Sequence, residues 1–310
     1  MAGPPVEVFV ERALYGPGGF YETGGRAGRR GGSFVTSPET GPLFGAVLAR
    51  ALDAWWREAG EPGEWVVVDA GAGPGTLART VLAAEPACAA ALQLVCVERT
   101  AAQRAQHPEG VTSTDALPDV ADVIVANELL DNLPFGLLER TGMGWEPVHV
   151  GDGGATAPDT GGTRIPVAAA AAAWVPAARR RLRPGGRLVC FDYADTTAAL
   201  AARPWTDWVR AFAGQERLDD PFADPGTRDI TVVVPWDQLP MPDRATTQAA
   251  WLREHGIEQL VTEGAAHWQA HAAAPDLTAM RMRSRLREAD ALLDPDGLGA
   301  FWVGEWRANP

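Results

Sequence analysis

Apolar positions along this chain repeat with two different periods. Over 41–60, GPLFGAVLARALDAWWREAG, they return every three to four residues, which predicts a helix with one buried face. From residue 65 they gather into short runs separated by helix-length segments: WVVVDAGAG, LQLVCVE at 92–98, DVIVANELL at 122–130 and RLVCFDY at 187–193. That is the βαβ rhythm of an open, mostly parallel sheet, and it predicts an α/β fold. A Gly/Thr-rich stretch at 141–164 interrupts the rhythm and reads as a hairpin or loop beside the fourth strand. DITVVVPW at 229–236 and FWVGEW at 301–306 read as two late strands paired at one sheet edge, and an exposed edge there would suit a homodimer. The expected division is an N-terminal segment over 1–64 and an α/β domain over 65–310, with insertions around 141–164 and 195–228. The long Gly/Arg-rich stretch at 15–34 serves either as a mobile surface loop or as a lid.

Composition narrows the classes of function. No run reaches the ~20 apolar residues of a membrane span, because the longest candidate, 165–178, is Ala-rich and broken by Pro166 and Pro176. The N-terminus shows no basic and apolar leader pattern, so the expected location is the cytoplasm. The formal net charge of −13 works against general attraction to nucleic acid or anionic lipid. All 27 basic residues are arginine, which excludes Schiff-base chemistry and a P-loop lysine. Cys88, Cys96 and Cys190 have neither an even count nor metal-ligand spacing, and the five histidines form no convincing ligand set, so no metal is expected. The tryptophans read as packing surfaces before they read as an aromatic cage.

One segment carries chemistry. In WVVVDAGAGPGTLART at 65–80 an apolar strand ends on Asp69 and is followed by Gly71, Ala72, Gly73 and Gly75, then by a helix start. Such a turn lets backbone pass close to a ligand beside free N–H groups. The spacing is GxGxG, one residue short of the dinucleotide fingerprint. Glu98 closes the next strand where a carboxylate can accept both hydroxyls of a ribose. Asp115, after a weak third strand, is a candidate for an adenine amino group or a simple turn residue.

The acid-led GxGxG resembles motif I of class I S-adenosylmethionine (SAM) methyltransferases. Further segments, in order, resemble the MidA-like family: YGPGGFYETGGRAGRRGGSFVTSPE at 15–39, FGAVLARALDAWW at 44–56, VIVANELLDNLPF at 123–135, DYAD at 192–195, GTRDITVVVPWDQL at 226–239 and TQAAWLREHGI at 247–257. The resemblance implies a Rossmann-like class I fold with a seven-stranded sheet, SAM as cofactor, and Thr36, Glu39, Asp69, Gly71, Ala72, Gly73, Gly75, Glu98, Asp115 and Asn127 around it. It further implies a protein arginine as acceptor, with Glu128 and Asp131 orienting the guanidinium and taking its proton. Two departures from the family pattern stand out: Ser33 replaces an acid and Ala194 a glycine. Glu128 and Asp131, three apart, would share one face of a helical turn; alternatively they cap that turn, and Glu39 caps the helix at 41–60. A small-molecule O- or N-methyltransferase and a SAM-binding assembly factor without turnover are the competing readings.

Overall fold

A computed structural model of the chain describes residues 3–24, 36–151, 163–213 and 216–308. The Ser33 departure and the second half of the Gly/Arg stretch, 25–34, therefore lie outside the described residues, as do 152–162 of the expected insertion.

The apolar runs form one seven-stranded sheet. Its strands are β1 (Trp65–Ala70), β2 (Leu92–Val97), β3 (Thr112–Thr114), β4 (Ala121–Asn127), β5 (Leu182–Asp192), β6 (Arg244–Thr247) and β7 (Trp302–Arg307). They lie in the order β6-β7-β5-β4-β1-β2-β3. β1 to β5 pair in parallel, and β7 runs antiparallel between β5 and β6. The order departs from β1 in both directions, and a ligand crevice opens at the carboxyl ends of β1 and β4 where it does so.

Three helices frame that crevice: α1 (Val6–Tyr15), α2 (Pro42–Glu58) and α3 (Thr76–Ala83). The periodic face of α2 supplies Leu43, Phe44, Val47, Leu48 and Leu52 to the core below the sheet, so this part of the N-terminal segment is integral to the domain. Gly45 is the point of contact with α3, since a Cβ there would sit 2.1 Å from Thr80 Oγ1. α1 packs instead on a second core with Phe135, Trp208, Phe222 and Ile230.

Two expectations about the late strands fail. Asp229–Val232 does not join β7; it pairs antiparallel with Val209–Ala213 in a separate three-stranded sheet. FWVGEW is no free edge either, because β7 is hydrogen-bonded on both sides and Trp306 is fully buried, which removes it as the dimer edge. Periodicity identifies a strand but not its partner. The strand expected at 187–193 begins earlier, since β5 starts at Leu182 and contains Pro184-Gly185-Gly186, where its pairing with β4 shifts register.

Candidate active site

The glycine turn forms as the sequence predicts and faces an open crevice. Gly71 and Ala72 donate their backbone N–H groups to Val97 O, which ties the turn to the end of β2. Gly73, at φ +52, has no atom of the described residues within 4 Å of where a Cβ would stand. Its N–H donates to Glu98 Oε2 at 3.2 Å, while Glu98 Oε1 accepts from Thr100 N at 2.9 Å. Gly75 stands at the start of α3 with φ +78, and a Cβ there would meet Pro108 at 2.8 Å.

The pocket is lined by Thr36, Glu39, Asp69, Gly71, Ala72, Gly73, Glu98, Asn127, Glu128 and Asp131 among the residues expected from sequence. Gly75 shapes the turn without lining the pocket. Asp115 is exposed just past β3 and is not among the lining residues.

Both capping alternatives are filled by other residues. The N-terminus of α2 is capped by Glu288, whose Oε2 accepts from Leu43 N at 2.8 Å; Glu39 turns the other way and accepts from Thr76 Oγ1 at 2.7 Å. At the turn after β4, Asp192 Oδ2 accepts from Leu130 N at 2.9 Å and Asp131 N at 3.3 Å. Glu128 and Asp131 are not needed to meet those two N–H groups. They do not share a helical face: Glu128 is left-handed, at φ +51, before the short 3-10 turn Leu130–Asn132. A non-glycine residue held there stores strain, which is frequent at functional sites.

Around these two acids the tertiary structure assembles a buried cluster. Glu128 Oε1 accepts from Ser37 N at 3.2 Å and Asn127 Nδ2 at 3.0 Å, while Oε2 is enclosed without a partner among the described residues. Asp131 accepts from Asn132 Nδ2 at 3.1 Å and from the Tyr193 hydroxyl. Asp229 joins from the small sheet through Tyr21, and Tyr15 reaches Asn132 O at 3.1 Å. Burial, reinforced by the Asp131 charge, pushes Glu128 up to about 8, and burial alone is the main cause that raises Asp131 to about 6. Asp192 is raised as well, by burial and then by the charges of Asp131 and Glu128. Asp69 rises to about 7 through burial and the charge of Glu98.

His107 holds the glycine turn in place, with Nε2 against Gly73 O at 2.9 Å and Nδ1 against Ser113 Oγ at 2.8 Å. Because a carbonyl only accepts, Nε2 carries the proton and Nδ1 accepts from the serine. Arg99 pairs with Glu11 and lies 4.5 Å over the Tyr15 ring, fastening α1 beside Glu98. His107, Asn132, Asp192, Asp229, Glu288 and the three tyrosines escaped the sequence reading. One signal was available, since the chain has only three tyrosines and every one stands at this cluster.

The pocket's chemistry fits SAM. Asp69 Oδ2 and Asn127 Oδ1 are enclosed acceptors that meet no donor among the described residues, and both residues line the same crevice. Buried acceptors of this kind call for a ligand rich in N–H groups. Asp69 and Asn127 would receive the amino-acid ammonium, and Glu98 the ribose hydroxyls. Fold and site together define a class I SAM-dependent methyltransferase.

Comparisons with known proteins narrow the class. Residues 47–159 match the model of a family described as S-adenosyl-L-methionine-dependent methyltransferase. A crystal structure of a COG1565 superfamily member from Burkholderia thailandensis, bound to S-adenosyl-homocysteine, is similar over 99% of this chain and 88% of that one, with 26% identity and a TM-score of 0.79. The protein arginine methyltransferase NDUFAF7 homolog of Drosophila melanogaster is 28% identical over 75% of this chain, and its Mus musculus counterpart 23% identical over 76%. This chain spans 65% of the length of each of those two relatives. These matches agree with the class that the fold and the site define, and they support SAM as the cofactor.

Proposed function

We propose that the protein transfers the methyl group of SAM to a guanidinium nitrogen of an arginine in a protein substrate. The observation that carries the acceptor is Glu128 Oε2, a carboxyl oxygen enclosed in the pocket with no partner among the described residues, beside Asp131. The names of the fruit-fly and mouse relatives support the same acceptor class.

The bound cofactor supplies an electrophilic methyl on sulfur. The chain's own task is alignment, since in-line displacement needs no covalent nucleophile. A guanidinium is planar, permanently charged and purely a donor. Glu128 carries a proton at pH 7 in the free protein, because its pKa is raised to about 8. An arriving guanidinium displaces that proton and pairs with the carboxylate, while Asp131 receives it from the other side. As the N–C bond forms the nitrogen must lose a proton, and Glu128, restored to a base of pKa near the working pH, accepts it.

Labelled SAM incubated with a lysate lacking the gene tests this reading. Label in a protein, released by hydrolysis as methylarginine, is the expected result. Label confined to small molecules would move the acceptor to that class, and no label despite SAM binding would leave a binding protein. Glu128→Gln is expected to keep SAM affinity and to lose about 10²-fold or more in turnover, the usual contribution of a general base; full turnover in this variant removes Glu128 from the chemistry.

A further inference from the structure

The hydroxyl of Tyr21 lies 2.9 Å from two oxygens at once, Asn132 Oδ1 and Asp229 Oδ1. A phenol has one proton to give, so one of these contacts must receive its proton from the other side. The surrounding bonds decide which. Asn132 Nδ2 donates to Asp131 Oδ1 at 3.1 Å, and the other oxygen of Asp131 accepts from Tyr193. Asp131 thus accepts on both oxygens, as an ionised carboxylate does. With its nitrogen committed, Asn132 turns its carbonyl oxygen to Tyr21 and takes the phenol proton. The remaining contact, oxygen to oxygen, is bonding only when Asp229 itself brings a proton.

The surroundings of Asp229 agree. The residue is 2% exposed. The groups facing it are Tyr21 and Tyr15 from the N-terminal segment and Asp131 and Glu128 from the turn after β4, all neutral or acidic. Arg228, its neighbour in sequence, points away to Asp220 O and Asp224 Oδ2. Burial, then the charge of Asp131, raises Asp229 to about 7.

We propose that Asp229 is a neutral carboxylic acid heading a directed hydrogen-bond chain, Asp229 to Tyr21 to Asn132 to Asp131, which fixes Asp131 as the anion that orients the cationic acceptor. Tyr21, Asn132 and Asp131 line the pocket while Asp229 stands behind them, so Asp229 is a positioning residue. The assignment of a task to Asp131 rests on the proposed function; the direction of the chain does not.

The test is a pair of substitutions with a spectroscopic control. Asp229→Asn presents an N–H donor where the acid presented O–H, and is expected to keep kcat and KM for an arginine peptide within about threefold of wild type. Asp229→Ala removes the donor, and Tyr21→Phe removes the link to Asn132; both are expected to lose about tenfold or more in kcat with SAM affinity unchanged, in keeping with the loss of a buried hydrogen bond to a polar network. Asp229→Asn as inactive as Asp229→Ala would show that the carboxylate charge is needed, and would overturn the proposal. Infrared spectra of the acceptor-free protein with ¹³C-labelled aspartate, taken as wild type minus Asp229→Asn, should show the stretch of a neutral carboxyl group at pH 6. Its absence overturns the proposal whatever the activities. A neutral Asp229 in a protein that methylates no arginine would uphold the chain and overturn the acceptor instead.

Discussion

Glu128 shows how much one residue's setting can change its chemistry. Its backbone is left-handed, its carboxyl is enclosed, and one oxygen has no partner among the described residues. Held near neutrality by burial, it should respond to a cation by releasing a proton. Calorimetry of an arginine-bearing acceptor at pH 7, run in buffers of different ionisation enthalpy, is expected to show close to one proton released in wild type and none in Glu128→Gln; equal release in both would place the titrating group elsewhere. His107 acts on the cofactor side through a single bond to Gly73 O. His107→Ala is expected to weaken SAM binding by about 1 kcal/mol, roughly fivefold, the net worth of one such bond, without lowering kcat at saturating SAM. On the proposed function, Glu128 belongs to the acceptor side of the pocket, and His107 stands behind the glycine turn on the cofactor side. Glu98 and Asp69 were legible because an acid ending an apolar run names its own place at the strand's carboxyl end. His107 was not, because nothing along the chain indicates that its ring crosses to the glycine turn.

At the scale of elements, the site depends on how closely α2 and α3 approach. Gly45 allows that contact, and any side chain there would strike Thr80 in α3. Gly45→Ala is expected to cost about 1–3 kcal/mol by overpacking. Because α3 begins at the glycine turn, the same variant should also weaken SAM binding, and normal affinity together with normal stability would show that the helices can separate at no cost. The sequence located α2 within two residues of its ends, since a periodic apolar face needs only a core to lie against. Its cap was different. Glu39 stands where a cap residue would, but Glu288, from the helix Leu277–Leu292, performs the task. A cap supplied from 245 residues away leaves no local signature. The late strands misled for the same reason: DITVVVPW and FWVGEW each carry the apolar pattern of a strand, and that pattern records burial without recording the neighbour.

Over the whole molecule, the acid cluster makes stability depend on pH. Glu128, raised to about 8, and Asp69 and Asp229, raised to about 7, hold protons in the folded chain at pH values where the unfolded chain has lost them. The folded state therefore binds more protons, and stability falls as pH rises through the folded values. His107 and His255, both lowered chiefly by burial, have the opposite effect, but only below their ordinary value of about 6.5. Between pH 6.5 and 8 the unfolding free energy from denaturant titrations is accordingly expected to fall, by about 1.4 kcal/mol per pH unit for each extra proton held, and to level off above the folded values. Glu128→Gln should give a shallower slope, and an unchanged slope would mean that its carboxyl is already ionised. SAM and an arginine acceptor together should recover part of the lost stability, because their N–H groups meet the oxygens that folding leaves unpaired.

The sequence by itself determined the parallel α/β frame, the glycine turn, the acid ending β2 and the Asn127-Glu128-x-x-Asp131 segment. Each is written in consecutive residues, where strand period, turn geometry and the place of a strand's carboxyl end follow from local sterics. Only the tertiary structure decided what those acids are able to do. It brought Tyr15 and Tyr21 from the first helix and its following turn, Asp192 and Tyr193 from the end of β5 and Asp229 from a separate sheet around Glu128 and Asp131. Proton affinity in that cluster is set by burial and by charges and hydrogen bonds from segments up to 208 residues apart, a property of distances in space that no order of residues along the chain expresses.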